Sequence, residues 1–353
     1  MRLYRRNETF RMDVQKVSFF VPFDSESEEI CMELFLTIVL FLLGLVLIVK
    51  GGDWFVDAAS WMATASGIPQ FIIGATIVSI ATTMPEVIVS TMAAAEGSTE
   101  MAIGNAIGSV TANTGLIMAL SVIFLPAVIQ RAQFAPKGLL MVASCVLLWV
   151  LCIDGQLSVL ESVLVLVLFA LFIFENVRSA RVETASGGPQ AVEVDKSKKA
   201  VIKNIILFVL GAACLVVGSD LLVDNGTKLA QMIGVSERVI AITMVAIGTS
   251  LPELVTAITA IVKKQSSMSV GNILGANIID VTVILPLCAF ISGGALTITP
   301  GSLTQTVYLD MPICALETAI AVVPTLIFKK FHKLQGILML CVYVAYLIVT
   351  FTI

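Results

Sequence analysis

Two glutamates, each directly after a proline, lie within apolar stretches of this sequence. Glu86 occurs in IVSIATTMPEVIVS (residues 77–90) and Glu253 in MVAIGTSLPELVTA (residues 244–257). A carboxylate in the middle of a membrane-length apolar segment costs at least about 2.5 kcal/mol, and it is tolerated mainly where it faces a cavity or a bound cation. A single such glutamate has a structural explanation, as a carboxylate satisfied by a neighbouring hydroxyl or helix, but a matched pair indicates a cation path.

Hydroxyl side chains precede both glutamates at helical spacing. The positions are Ser79, Thr82, Thr83 and Glu86 in the first segment and Thr249, Ser250 and Glu253 in the second. In the first segment they follow the pattern i, i+3, i+4, i+7, so they share one helix face. Serine and threonine also bond back to helix carbonyls. The matched carboxylates favour instead a polar face turned toward an ion.

Pro85 and Pro252 should break the helices that carry these glutamates. A proline has no amide hydrogen, and its ring clashes with the carbonyl four residues earlier, here that of Ala81 or Gly248. Proline kinks also serve packing alone in membrane helices. Beside so many oxygen-bearing side chains, the freed carbonyls are predicted to become available as cation ligands.

The next helix in each copy adds a second face. Its positions i, i+4 and i+8 carry Asn105, Ser109 and Asn113 in the first copy and Asn272, Ala276 and Asp280 in the second. The combined set offers only oxygen donors and suits a hard cation such as Ca²⁺, which takes six to eight oxygen ligands, rather than zinc or copper. The two glutamates and Asp280 carry enough charge for one Ca²⁺ or several monovalent ions, which is what an antiporter requires.

The elements that position these residues must be membrane helices. Of the 353 residues, 58% are hydrophobic and 13% are charged, with a mean hydropathy of +1.00, whereas soluble domains are about one quarter charged. At about 20 apolar residues per crossing, the sequence predicts an all-α polytopic membrane protein with ten transmembrane helices. The predicted spans are residues 33–55, 69–95, 101–125, 136–153, 157–177, 201–223, 236–262, 267–291, 305–327 and 335–352.

Lysine and arginine concentrate in alternate loops, which the positive-inside rule assigns to the cytoplasm. These loops carry Arg131 and Lys137, the basic residues of 178–203, Lys263 and Lys264, and Lys329, Lys330 and Lys333. Both termini are then predicted to lie on the outer side of the cell membrane, and residues 179–200 are predicted to form a cytoplasmic linker. Residues 1–32 read as an N-terminal extension, although their basic residues would by themselves prefer the cytoplasm.

The two halves of the chain are related by one constant shift. An offset of 253 − 86 = 167 residues superimposes the glutamate segments, and it also takes Asn113 to Asp280 without any insertion. Five predicted spans precede the linker and five follow it, so equivalent helices cross the bilayer in opposite directions. The sequence therefore predicts two inverted five-helix repeats, residues 33–178 and 201–353, which is a transporter architecture with its substrate site at the repeat interface.

At this point the motifs match a known family. The chain resembles the sodium/calcium exchangers of the cation/calcium antiporter superfamily, in their compact prokaryotic form, whose two alpha repeats carry Gly-Thr-Ser-x-Pro-Glu and Gly-Asn-x-x-Gly-Ser-Asn patterns. The resemblance runs from residue 33 to nearly the end of the chain. It implies cation sites between the second, third, seventh and eighth helices, and a secondary active exchange of Ca²⁺ for Na⁺ by alternating access, with no cofactor.

The same resemblance implies a ligand set for the ions. It assigns ligation to Glu86 and Glu253, and to backbone carbonyls near Ser79 and Ala246. Hydroxyl or carbonyl oxygens are implied at four neighbouring residues, and three further residues complete the set. The four neighbours are Thr82, Thr83, Thr249 and Ser250, and the three further residues are Ser109, Asn113 and Asp280.

Four positions depart from the family pattern. Ala81 and Thr83 replace Gly and Ser, Val110 stands in place of Asn, and Ala276 replaces the serine of the second repeat. The implied Ca²⁺ ligands are kept, whereas the missing hydroxyl at Ala276 removes an oxygen from one implied Na⁺ position. The sequence therefore does not decide whether the coupling ion is Na⁺ or H⁺.

Other classes of function are also weighed. A Ca²⁺/H⁺ antiporter would use one of the two glutamates as a proton carrier, a cation channel would use them as a selectivity ring, and an intramembrane enzyme would use them as an acid–base pair. No histidine accompanies the glutamates, which disfavours an enzyme, and no phosphate-cradling glycine loop or nucleic-acid element is present. The expected partners are Ca²⁺, Na⁺ and the lipid bilayer, with no obligate protein partner.

The remaining polar residues have ordinary explanations. The seven cysteines show no metal or redox spacing and are expected to behave as hydrophobic residues. His332 is expected in a solvated loop. Four aspartates related by the repeat, Asp53, Asp57, Asp220 and Asp224, lie at predicted span ends, where helix-end solvation is favoured over a vestibule that attracts cations.

Overall fold

The protein is helical almost throughout. The computed structural model describes residues 25–125, 130–185, 194–234 and 248–352. Their helices are α1 (Ser25–Ser66), α2 (Gln70–Thr82), α3 (Met84–Ala95), α4 (Thr99–Phe124), α5 (Arg131–Leu151), α6 (Val159–Ala185), α7 (Lys198–Met232), α8 (Leu251–Val262), α9 (Ser266–Ile291), α10 (Leu303–Phe328) and α11 (Lys333–Thr352).

Within this described part, eight helices are long and apolar enough to cross a membrane. A ninth candidate span consists of α2 and α3, which are bent by 44° against each other. The shorter apolar helix α8 lies in the predicted seventh span, and most of the first half of that span is outside the described residues. The prediction of a polytopic all-α membrane protein agrees with this architecture.

Two helices are much longer than their predicted spans. Helix α1 has 42 residues and α7 has 35, where the predictions are 33–55 and 201–223. The apolar run ends at charged residues, but charge ends only the membrane-embedded part and does not stop a helix. Asp53 and Asp57 therefore lie inside α1 rather than at a helix end, and their carboxylates pair with Lys263 at 3.3 and 2.7 Å. The two aspartates are therefore not at a helix end, although both side chains stay exposed beside the lysine.

Small residues allow α1 and α7 to pack along each other. A Cβ on Gly44 would lie 2.9 Å from the carbonyl oxygen of Gly218, and a Cβ on Gly211 would lie 2.8 Å from that of Gly51. Close backbone approach at glycine is a common means of helix association in membranes, where the hydrophobic effect supplies little driving force. The two helices form the side of the protein that is most exposed to its surroundings.

Helices α4 and α9 are the most buried of the candidate spans and form the centre of the protein. Each contains a π-helical segment, Asn113–Met118 in α4 and Asp280–Ile284 in α9. The two segments begin at residues that the 167-residue offset relates, and both of these residues are predicted ligands. Single π-helical turns within α-helices occur often at functional sites.

A short antiparallel pair of strands joins two loops at one end of the bundle. Strand β1 (Gln156–Ser158) follows α5, strand β2 (Ala295–Thr297) follows α9, and Leu157 lies opposite Leu296. Both leucines are buried in a hydrophobic cluster that includes residues of α4, α9 and α10. The pairing thus ties the loops of the two halves together at that end.

Two polar residues predicted in solvated loops are more buried than expected. Lys137 is fully buried inside α5, where its ammonium donates to the carbonyl of Gln133 and to Ser179 Oγ, so it is not a loop residue. Its long side chain carries the ammonium to a position near the ring of Phe71. His332 is half-buried and packs edge-on against Phe328 at 5.2 Å, rather than being solvated.

Candidate cation site

The two glutamate segments form the same local structure. Helix α3 begins after Thr83, which has φ −84° and ψ 0°, and helix α8 begins after Ser250, which has φ −86° and ψ 5°. Pro85 and Pro252 occupy the first turn of their helices, where a missing amide hydrogen costs nothing. The predicted break before Glu86 is therefore present, as the bend between α2 and α3.

Three carboxylates are buried at this place. Glu86 is 1% exposed, and Glu253 and Asp280 are fully buried. Both oxygens of Glu86, both oxygens of Asp280 and Oε2 of Glu253 have no hydrogen-bond partner among the described residues. The three carboxylates repel one another electrostatically: Glu86 interacts with Glu253 and Asp280, and Asp280 interacts with Glu253.

No basic side chain compensates these charges within the described ranges. The ion pairs there join Arg178 to Glu175 and Lys263 to Asp53 and Asp57. Buried carboxylates without a counter-charge are strongly unfavourable. The arrangement therefore requires cations or protons to neutralise it.

Two hydrogen bonds join the halves of the chain in the same way. Thr82 Oγ1 donates to Asn272 Oδ1 at 3.2 Å, and Thr249 Oγ1 donates to Asn105 Oδ1 at 3.2 Å. The offset of 167 residues converts one pair into the other, because 82 + 167 = 249 and 272 − 167 = 105. Each glutamate segment is thus joined to the second polar helix of the opposite half.

Further hydroxyls lie between the carboxylates. Thr83 Oγ1 donates to Glu253 Oε1 at 3.3 Å, and Ser250 Oγ donates to Ser109 Oγ at 3.5 Å. Thr83 of the first segment therefore contacts the glutamate of the second, and Ser250 of the second segment contacts the serine of α4.

The other predicted positions differ in the oxygen atoms that they can contribute as ligands. Asn113 is buried at the start of the π-helical segment in α4, and its Oδ1 has no partner among the described residues. The carbonyl of Ser79 accepts the amide of Thr83 at 3.0 Å, so one of its lone pairs is already in use. Ala276 is fully buried and adds no oxygen beyond its backbone. Ala246 lies outside the described residues.

The carboxylates do not form a compact chelating cluster. In the ranges that the structure describes, no three acidic, histidine or cysteine side chains are close enough to hold a metal ion by themselves. A cation here would take its remaining ligands from the hydroxyl, amide and carbonyl oxygens. Mixed oxygen shells of this kind are typical of Ca²⁺ and Na⁺ rather than of transition metals.

A cavity of about 220 Å³ lies between α7 and the two helix breaks of this site. It is lined by Pro85, Val89, Met101, Ser219, Asp220, Val223, Asp224, Gly248 and Thr249. Asp220 and Asp224 lie inside α7 rather than at a helix end, and both are exposed. Their place on the cavity wall fits the vestibule interpretation.

One buried carboxylate was not among the predicted site residues. Glu317 in α10 is fully buried, and neither of its oxygens has a hydrogen-bond partner within the described residues. The repeat gives no signal for it, because Glu317 lies outside the paired motifs of the two halves. The signal that could have found it is simpler, namely a lone glutamate near the middle of an apolar span.

Comparisons with known proteins agree over nearly the whole chain. A family model described as sodium/calcium exchanger protein matches residues 36–177 and 203–352. The membrane protein MJ0091 of Methanocaldococcus jannaschii is 33% identical over 310 residues, which cover 86% of this chain and 94% of that protein. The sodium/calcium exchanger MaX1 of Methanosarcina acetivorans is 29% identical, with 89% and 98% covered. The solved structure of the sodium-calcium exchanger NCX_Mj, soaked with Na⁺ and Sr²⁺, has a TM-score of 0.75 at 29% identity and covers 89% and 98% of the two chains.

Proposed function

The chain belongs to the sodium/calcium exchanger family, and we propose on that premise that it exchanges Ca²⁺ for Na⁺ across the cell membrane by alternating access. The observation that carries the proposal is the set of three buried carboxylates, Glu86, Glu253 and Asp280, without a basic partner in the described residues. One divalent ion or several monovalent ions would offset most or all of this charge.

The same charge explains why transport would be an exchange. An empty site would have to carry its uncompensated carboxylates through an occluded state, where no water screens them, at a cost of several kcal/mol. Loading with Ca²⁺ or with Na⁺ offsets most of the charge and so lowers that cost. The protein would therefore change its side of access only when loaded, and each Ca²⁺ would leave in return for Na⁺.

The ligand assignment forms part of the proposal. Glu86 and Glu253 would bind Ca²⁺ together with oxygens of Thr82, Thr249 and the backbone at the two helix breaks. The remaining oxygens would complete the Ca²⁺ shell or hold Na⁺, and they come from Thr83, Ser250, Ser109, Asn113, Asp280, Ser79 and Ala246. The helix α2 ends at Thr82, so the negative end of its dipole lies at this site and favours cations.

The architecture proposed is ten membrane spans in two inverted repeats, residues 33–178 and 201–353, after an N-terminal extension over 1–32. Two observations support it. The hydrogen bonds Thr82–Asn272 and Thr249–Asn105 are related by the 167-residue offset, as are the glycine contacts of α1 and α7, since 44 + 167 = 211 and 51 + 167 = 218. Both termini would lie outside, with 179–200 in the cytoplasm.

Transport in reconstituted vesicles tests the proposed exchange. Vesicles loaded with Na⁺ at equal pH on both sides should take up radiolabelled Ca²⁺ when diluted into Na⁺-free medium, whereas vesicles loaded with acid at equal Na⁺ should not. Uptake driven by the proton gradient alone would replace Na⁺ with H⁺ as the coupling ion. Ca²⁺ flux that needs no opposing ion would indicate a channel.

Restoring a hydroxyl at position 276 should strengthen Na⁺ binding. Ala276 is the equivalent of Ser109, whose hydroxyl accepts from Ser250 in the other half. One added oxygen ligand contributes about 1 kcal/mol, which corresponds to a roughly fivefold lower Na⁺ concentration for half-maximal exchange. Na⁺ dependence of Ca²⁺ uptake by Ala276→Ser measures this, with Ala289→Ser, buried further along α9, as the control. An equal shift in both variants would contradict a Na⁺ position at residue 276.

A further inference from the structure

A second buried acidic residue, Glu317, lies outside the exchange site, where α4, α10 and α11 meet. Glu317 Oε1 lies against the π-helical segment Asn113–Met118, where a Cβ on Gly115 would come within 3.0 Å of it. The same Cβ would lie 2.6 Å from Cβ of Tyr343. The glycine therefore allows a carboxyl group and an aromatic ring to pack directly against this segment.

Among the described residues, no charge compensates Glu317 from a helix that packs against it. Helix α5 contacts α10 through Gly138–Val322 and Cys145–Cys314, and residues 138–145 between these contacts carry no charge. The ammonium of Lys137 is directed instead to Gln133 and Ser179.

Few titratable groups of the described residues face Glu317, and each of them is either uncharged or distant. Tyr343 on α11 interacts with Glu317, and Cys314 precedes it by one turn of α10, next to Cys145 of α5. Asp310 lies two turns away and accepts a hydrogen bond from Tyr346 at 3.0 Å. The π-helical segment Asn113–Met118 itself contains no titratable residue.

The surroundings cannot serve a metal ion. One carboxylate and the hydroxyl of Tyr343 fall far short of the six to eight oxygens that Ca²⁺ takes. An isolated ionised carboxylate in apolar surroundings is not maintained, since the group takes up a proton instead. The occupant that fits the place is therefore a proton.

We propose that Glu317 is a proton-binding site that controls ion exchange through the π-helical segment Asn113–Met118. With its proton, the neutral side chain packs beside Gly115 and Tyr343. Without it, the new charge draws water or the tyrosine hydroxyl toward itself and displaces the segment, whose first residue is the proposed ligand Asn113. Exchange should then slow as the pH rises.

Infrared spectroscopy of the purified protein in lipid tests the proton site without any transport. The difference spectrum between the wild type and Glu317→Gln at neutral pH should contain the C=O band of one protonated carboxylic acid, and this band should vanish from the wild type on alkalinisation. Glu317→Met, of similar size, serves if the glutamine variant does not fold. A difference spectrum without this band would overturn the proposal.

The effect on exchange rests on the proposed function and has its own readout. Wild-type Ca²⁺ uptake should fall toward alkaline pH by about tenfold per unit, the slope for loss of one proton, and Glu317→Gln should abolish that fall while keeping exchange at neutral pH. Asp310→Asn, on the same helix, should keep the wild-type profile. The same alkaline fall in Glu317→Gln would overturn the control of exchange by Glu317, even where the infrared band is present.

Discussion

Glu86→Gln and Glu253→Gln should each abolish Ca²⁺ exchange while leaving a folded protein. Each change removes one of the three negative charges of the site, and a neutral amide oxygen is a much weaker ligand for a divalent ion. A loss of about 4 kcal/mol of ion binding, the scale of interactions with a buried charge, corresponds to a roughly thousandfold lower affinity. Uptake of radiolabelled Ca²⁺ into Na⁺-loaded vesicles measures the effect.

The fold of these variants should be at least as stable as the wild type in the absence of ions. Glu86 has no hydrogen-bond partner for either oxygen within the described residues, so its removal relieves a desolvated charge and breaks no contact. Glu96→Gln is the matched control, since Glu96 follows the same helix at its exposed end. Normal exchange by Glu86→Gln or Glu253→Gln would overturn the assignment of the site.

Gly271→Ala should prevent α2 and α9 from packing and so prevent folding. A Cβ on Gly271 would overlap the carbonyl oxygen of Phe71, and a Cβ on Gly74 would overlap that of Met268. Both obstacles are backbone atoms, which no rotamer change can move. Overpacking of this kind costs about 3 kcal/mol or more, a large share of the stability of most proteins. Size-exclusion chromatography of the detergent-extracted protein should show aggregation and a much lower yield.

A glycine in another spanning helix provides the comparison. At Gly138 in α5 the nearest atoms outside its own helix are the side-chain methyl groups of Val322, at 3.0 and 3.3 Å, and these can shift. Gly138→Ala should therefore give a monodisperse protein with nearly the wild-type yield. If Gly271→Ala behaves in the same way as Gly138→Ala, the close contact of α2 with α9 is not required for folding.

The sequence predicted the chemistry of the site better than its surroundings. Glu86 and Glu253 could be found because a charge in an apolar span is costly and because the repeat supplies an independent second copy. The hydrogen bonds Thr82–Asn272 and Thr249–Asn105 could not be predicted, since they depend on how the two halves meet. The π-helical segments are equally hidden, because residue spacing does not distinguish one wide turn within an α-helix.

Helix lengths and buried polar residues show where reading of the sequence fails. A hydropathy pattern marks the membrane-embedded part of α1 and α7 but says nothing of the helical turns that continue beyond it. Lys137 looks like a loop cation because lysine is seldom buried, and only its hydrogen bonds to Gln133 and Ser179 explain its position. Glu317 lies outside the paired motifs of the two halves, so the repeat carries no signal for it.

Equilibrium binding of radiolabelled Ca²⁺ to the purified protein is the most direct test of the shared site. The wild type should bind Ca²⁺ saturably in Na⁺-free solution, Na⁺ should displace it competitively, and Glu86→Gln and Glu253→Gln should both lose the binding. Ca²⁺ binding that persists in both variants, or that Na⁺ cannot displace, would contradict a single site of buried carboxylates at which the two ions compete.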